Sequence, residues 1–354
     1  MLEGPNGQGK TNFLEACYLA CTLRPLRAQR LSELVRFGEE TARVSAVFEM
    51  RGGDRSIELE FSGGRRVARL DGKPVRDPDE LFNELAVVAF TPDDLSLVRA
   101  GPDGRRRLLD RAVQNRHPAQ LSDARDYLRA LKSRNELLRQ GAPEALREAF
   151  DEPLARSGAR IRLRREEILR ELKPYAERAF AEVARGEIPL RLDYQAAGSE
   201  LQPLAPEAPI ESESALAERI LAGLRARLSR DRLRGFTSVG PHADDLAITL
   251  GDKPARAFAS QGQARAIVLA FKIGEIENLR ARQGRAPLLL LDDVSSELDP
   301  ERNAFLMRSL AALAGQVLLT TTDAAHLVSA LREARAATDD VVLYRVRRGQ
   351  ITAA

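Results

Sequence analysis

Apolar and polar residues alternate in ARVSAVFEM (42–50), SIELEF (56–61) and RVARL (66–70), a period of two that predicts antiparallel strands. Gly-Gly pairs at 52–53 and 63–64 supply the turns. From 105 to 185 the pattern is helical. Leu154, Ile161, Ile168, Leu172, Tyr175 and Val183 recur there at near-heptad spacing, which predicts a helical arm. Residues 196–212, rich in Pro, Ala and Glu, read as a linker, and a helix from about Ser214 to Arg234 returns the chain. Strands at 245–250 and 316–321 are expected to complete the core, and VVLYRVRRGQIT (341–352) predicts a closing hairpin. The sequence shows no internal repeat.

Residues 4–11 read Gly-Pro-Asn-Gly-Gln-Gly-Lys-Thr, a full match to GxxxxGK[ST]. Glycines at these positions let backbone N–H groups turn inward around phosphate oxygens, and the following helix aims its positive end at them. Gly4, Pro5, Asn6, Gly7, Gln8 and Gly9 would cradle the phosphates of ATP. Lys10 would reach the β- and γ-phosphates, and the Thr11 hydroxyl would bind Mg²⁺. Residues 12–23 (NFLEACYLACTL) predict the helix, with Phe13, Leu14, Cys17, Tyr18 and Cys21 on its apolar side. A phosphate loop needs a buried strand ahead of it, yet only three residues precede Gly4. The expectation is that the first strands of the fold are missing and that the loop starts unpinned.

Residues 287–299 read PLLLLDDVSSELD. Four leucines predict a buried strand of a parallel sheet, ending in two carboxylates. Asp292 is the expected Mg²⁺ ligand, and Asp293 would polarise the attacking water, so Asp293 and Lys10 are the candidate catalytic residues. Ser260, Gln261, Gly262 and Gln263 lead into a helix from about Ala264 to Arg282, whose Ile267, Val268, Phe271, Ile273 and Ile276 predict a buried face. The start of that helix is a second anion site, able to close over the γ-phosphate held by the other subunit of a two-fold dimer. An ordinary helix cap is the alternative.

In the order phosphate loop, SQGQ, LLLLDD and SELD, the chain resembles ATP-binding-cassette ATPases of the SMC and double-strand-break-repair type. VVAFTPDDLSLVRAGPDGRRRLLD (87–110) and TSVGPHADDL (237–246) narrow the resemblance to the RecF family of bacterial recombination mediators. It runs over nearly the whole chain, least specifically in the arm. The resemblance implies an α/β fold, a P-loop ATPase head of the ABC/SMC type with an antiparallel β subdomain and an inserted helical arm. The head would comprise 1–104 and 236–354, and the arm 105–235. Also implied are ATP-dependent dimerisation, weak DNA-stimulated ATP hydrolysis and binding to single-stranded and gapped duplex DNA. RecO- and RecR-like partners in recombinase loading follow from the same resemblance. Three features depart from the pattern, the strands expected to be missing ahead of the phosphate loop being one. Ala243 stands where the family usually has a basic residue, and Phe90 to Asp94 occupies the place of the cassette's glutamine loop.

Composition is less informative. A chain 44% hydrophobic and 30% charged is an ordinary globular mix. Apolar runs such as Leu288 to Leu291 fall far short of the ~18 residues that cross a membrane. The opening MLEGPNGQGK lacks an export signal, and Cys17 and Cys21, read as helix packing positions, fit a reducing cytoplasm. Lys+Arg exceed Asp+Glu by 55 to 52, and 49 of the basic residues are Arg, so local clusters must carry any DNA contact. The candidates are Arg105 to Arg107, then Arg160, Arg162, Arg164 and Arg165, and finally Arg225, Arg227, Arg230, Arg232 and Arg234. Acids lie near each, so a solvated helix face is the default for any one of them. Thr322 and Asp323 follow the strand at 316–321, where a residue can sense a γ-phosphate, and His326 reads as a surface histidine. Two other functions stay open. A transporter's ATPase subunit would normally be shorter and carry LSGGQ with a glutamine loop. A nucleotide-gated DNA clamp would show negligible turnover.

Overall fold

The leucine run forms strand β10 (Leu288–Asp292), and burial of Leu289 to Asp292 explains its lack of polar alternation. β10 lies in a six-stranded sheet of order β13-β12-β1-β11-β10-β6. The other strands are β1 (Leu2–Glu3), β6 (Val87–Phe90), β11 (Val317–Thr321), β12 (Tyr344–Arg347) and β13 (Gln350–Ala353). Only the hairpin β12–β13 is antiparallel. Helix α1 (Lys10–Thr22) packs Leu14, Tyr18 and Cys21 into one apolar cluster with Leu2, Val87, Leu290 and Val346. Phe13, expected on the same side, is exposed instead.

The alternating segments form a second, antiparallel sheet of β2 (Thr41–Phe48), β3 (Arg55–Ser62), β4 (Arg65–Leu70) and β5 (Lys73–Pro74). Ile57, Leu59 and Phe61 of β3 point inward, as the period of two requires. Gly63 and Gly64, at φ 56° and 72°, make the tight turn between β3 and β4. Gly52 of the other pair lies outside the described residues. The computed structural model describes residues 1–28, 30–49, 53–75, 85–95, 97–117, 119–184, 188–198, 210–284, 286–293, 298–313, 315–325, 327–328 and 341–354.

Both sheets belong to one compact unit, Met1–Asp93 with Glu275–Ala354, while Asp94–Gly274 forms another. The second unit takes in 94–104 and 236–274 as well as the segment expected for the arm. Its helices are α2 (Pro102–Gln114), α3 (Gln120–Arg139), α4 (Glu144–Val183), α5 (Glu213–Ala226) and α6 (Leu228–Arg234). Tyr127, Leu154, Ile161, Ile220 and Leu224 join α3, α4 and α5 in one core. Leu154, Ile161, Ile168 and Leu172 are buried as their spacing predicts. Tyr175 and Val183 are only half-buried, and Ala176, Ala179 and Phe180 take the inner positions.

Strand β8 (Asp245–Leu250) forms where a strand was expected but does not complete the parallel core. It pairs antiparallel with β7 (Leu190–Gln195) and β9 (Lys253–Pro254) in a three-stranded sheet of the second unit. β7 itself went unrecognised in the sequence. The returning helix breaks at Arg227, between α5 and α6, and most of the expected linker (199–209) lies outside the described residues. Helix α7 (Gln261–Gln283) follows SQGQ and passes through the boundary at 274–275. Pro300–Leu313 forms α8 in the first unit. Among the described residues no helix is long and apolar enough to cross a membrane.

Candidate nucleotide site

The phosphate loop is pinned at its start, contrary to expectation. Leu2 and Glu3 form β1, paired in parallel with β11 on one side and β12 on the other, and Gly4 N–H continues the ladder to Thr321 O at 3.2 Å. A Cβ on Gly4 would lie 2.5 Å from Val346 O, so packing excludes any side chain there. Gly7 and Gly9 take φ of 78° and 102°, the region glycine enters without strain, and Gly9 caps α1. Lys10 is buried, its Nζ donating to Gly4 O at 2.5 Å and Pro5 O at 3.0 Å. The amine is held inside the loop it would serve.

Thr11 meets the end of β10. Its Oγ1 donates to Asp292 Oδ1 at 2.9 Å, and Thr320 Oγ1 donates to the same oxygen at 2.9 Å. Asp293 N–H in turn donates to Thr320 Oγ1 at 3.0 Å, and Asp293 has φ of 49°, where the chain leaves the sheet. Glu3 Oε1 accepts Ala324 N–H, and the Thr321 hydroxyl binds Asp323 N–H, so the segment after β11 is tied to β1. Thr322 and Asp323 are both exposed. His326 and residues 294–297, which include Ser296 and Glu297 of the SELD segment, lie outside the described residues. Asp299 is described, and its carboxylate accepts Arg302 N–H at the start of α8.

Two further contacts had no signal in the sequence. The turn of the β12–β13 hairpin docks on the loop: Gly349 N–H donates to Gln8 O, and Arg348 N–H to Gln8 Oε1, both at 2.9 Å. Arg27 Nη1 lies 3.7 Å from Asp292 Oδ2, and its Nε 3.8 Å from Asp93. Glu15 fixes this arginine's backbone by accepting Leu26 N–H at 2.8 Å and Arg27 N–H at 3.2 Å. Thr11, Asn12, Glu15, Arg27 and Asp93 line part of a cleft of about 520 Å³. Burial pushes the Cys17 thiol up to about 11 and Cys21 in the same direction, as inert packing positions on α1.

Ser260 to Gln263 lie in the second unit and form a reciprocal cap. Ser260 Oγ accepts Gln263 N–H at 3.1 Å, and Gln263 Oε1 accepts Ser260 N–H at 2.9 Å. Gln261 stays exposed, and Gly262 is half-buried.

The basic clusters divide sharply. Arg105 is buried and bidentate to Asp245, and Arg162 and Arg165 are buried and bidentate to Asp244 and Asp110. Arg160 and Arg164 both pair with Asp123. Arg106 is tied to Asp103 and to the Asp244 carbonyl, while Arg107 stays exposed, so the reading of the first two clusters as DNA surfaces is corrected for every member but Arg107. Burial opposes charge on Arg162, but the Asp244 carboxylate outweighs it and raises the guanidinium further.

A family model for the RecF/RecN/SMC N-terminal domain matches residues 1–341. The DNA replication and repair protein RecF of Myxococcus xanthus is 53% identical over 98% of this chain and 89% of its own length. The ATP-bound recombination mediator protein RecF of the RecFOR pathway superposes with a TM-score of 0.84 at 30% identity, covering 100% of this chain and 90% of that one. The Smc head domain of Pyrococcus furiosus gives a TM-score of 0.51 at 16% identity, covering 100% and 88%, and supports the fold alone.

Proposed function

The chain belongs to the RecF family, and on that premise we propose that it is an ATP-dependent DNA-binding protein of recombinational repair. The observation that carries this reading is the meeting of Thr11 and Asp292, 281 residues apart in sequence, at 2.9 Å beside the phosphate loop. A hydroxyl and a buried carboxylate are hard oxygen donors that suit Mg²⁺, leaving its other positions to phosphate and water. When bound, Mg²⁺ neutralises phosphate charge. Lys10 exchanges its two carbonyl partners for phosphate oxygens, and the loop from Gly4 to Gly9 supplies backbone N–H groups. Asp293 positions the attacking water as general base.

Ser260, Gln261, Gly262 and Gln263 close over the γ-phosphate held by a second copy, making the homodimer ATP-dependent. Each such cap contributes hydrogen bonds of roughly 1.5–3 kcal/mol to a charged acceptor. A few of these at two sites are comparable with an association cost of about 4–15 kcal/mol, so ATP tips the balance. Gapped and single-stranded DNA, with RecO- and RecR-like proteins, are the partners this reading takes, and a relative described as a recombination mediator of the RecFOR pathway supports it.

ATP affinity and turnover, measured with and without DNA, test the assignment. Asp293→Asn is expected to keep ATP affinity and dimerisation while losing on the order of 10²-fold or more in turnover. Asp292→Asn should weaken Mg²⁺-nucleotide binding itself, and Lys10→Ala should lose binding or hydrolysis. Wild-type turnover in Asp293→Asn would move the water-positioning role elsewhere, Asp323 being next in line. Turnover indifferent to DNA, with no DNA bound, would return the transporter reading.

A further inference from the structure

Between residues 219 and 243 the only acid is Asp231, and it is wholly buried, turned inward to Arg134 and the Ser238 hydroxyl. Arg225, Arg230, Arg232 and Arg234 on the same stretch are exposed, and among the described residues no acid forms an ion pair with any of them. The contrast with Arg105, Arg162 and Arg165, each locked to a carboxylate, is complete. Two apolar side chains stand among these cations: Leu233 is 91% exposed and Phe236 47%. Gly235, at φ 70°, ends α6 and turns the chain, and the Arg234 guanidinium lies 6.0 Å from the Phe236 ring centroid.

We propose that this corner of the second unit, the end of α5 with α6 and Phe236, is a docking surface for single-stranded DNA. The unpaired guanidinium groups take phosphate oxygens, which their planar forks fit. Phe236, with Arg234 beside it, offers a face on which an unstacked base rests. A duplex keeps its bases stacked on one another and would use the arginines alone. The assignment rests on the DNA-binding reading above but not on the nucleotide site.

Anisotropy with labelled oligo(dT), with a duplex of equal length and with poly-glutamate across a salt series decides it. The double variant Arg230→Gln/Arg232→Gln should lower the log–log salt slope for oligo(dT) by about 1.4, near 0.7 for each lost contact. Phe236→Ala should weaken oligo(dT) at least fivefold, leaving the salt slope and duplex affinity unchanged. Arg129→Gln, at an exposed arginine paired with Asp126, serves as the control and should change nothing. Oligo(dT) binding at wild-type strength by both variants would overturn this surface while leaving the DNA reading intact. Equal loss of poly-glutamate binding in Phe236→Ala would assign the surface to an acidic polypeptide instead. A wild-type protein that binds no DNA at all would overturn the functional reading itself.

Discussion

Asp292 and Asp244 are both buried, and they keep opposite company. Asp292, 5% exposed, accepts two neutral hydroxyls, and its nearest recorded cation is the half-exposed Arg27 at 3.7 Å. Asp244 receives both forks of Arg162 at 2.7 and 2.8 Å, the Tyr194 hydroxyl at 2.5 Å and Ala197 N–H at 2.7 Å. Burial desolvates both carboxylates. Only the closed set in the second unit compensates that cost within the protein. The acid proposed to hold Mg²⁺ is the one whose partners are weak enough to exchange for a ligand.

Breaking each site should therefore have opposite consequences. Asp244→Ala strands a buried guanidinium, and a buried pair broken on one side costs about 3–5 kcal/mol. Asp292→Asn keeps the hydroxyl contacts and should alter stability by less than about 1 kcal/mol, the scale of one neutral hydrogen bond, while nucleotide binding fails. Denaturant unfolding of the two variants beside the wild type checks the contrast. Equal destabilisation would mean that Asp292 is a structural acid too.

The same contrast explains what could be read from the sequence. GPNGQGKT and LLLLDD carry their chemistry in local order, so Lys10, Thr11 and Asp292 were legible before any fold was known. The alternation in 245–250 correctly predicts a strand, but alternation does not name a strand's neighbour, and β8 pairs with β7 rather than with the parallel core. The pinning of the phosphate loop was illegible because two residues are too few to show a period, and their strand exists through pairing with β11 and β12. Arg162 and Arg232 look alike as letters. Only Asp244, 82 residues from Arg162, distinguishes the buried one.

Ser260 lies between the two extremes, because one hydroxyl serves both a cap and a proposed phosphate contact. Ser260→Ala removes the Oγ acceptor of Gln263 N–H and should cost about 1 kcal/mol, the usual worth of an N-cap. Ser260→Arg adds bulk at an exposed position, and it should abolish ATP-dependent dimerisation while leaving nucleotide binding nearly intact. Light scattering with and without ATP, alongside nucleotide affinity, separates the two roles. A dimer that persists in Ser260→Arg would reduce this segment to a helix cap.

The smallest expected effect is a pH dependence rooted in the closed network. His242 Nε2 lies 2.8 Å from Thr237 O, which only accepts, so Nε2 carries the hydrogen. Nδ1 then accepts the Tyr127 O–H, 2.5 Å away, and the neutral ring is satisfied on both sides. Burial, with Arg106 and Arg162 in support, holds this histidine below its ordinary range, against the opposite pull of the Thr237 carbonyl and Asp244. Burial lowers His117 likewise. The unfolded chain takes up a proton near pH 6.5 that the native histidine declines, so stability is level above that pH and falls as pH drops below it. Glu166, raised chiefly by burial, acts in the opposite sense, its contribution fading as pH climbs past the ordinary glutamate value near 4.3. His242→Gln keeps one donor and one acceptor without the ionisation. Denaturant midpoints at about pH 7 and about pH 5.5, on either side of the unfolded histidine's pKa, should therefore differ less in the variant than in the wild type. An unchanged difference would transfer the effect to His117, because His242 would then contribute no proton uptake on unfolding.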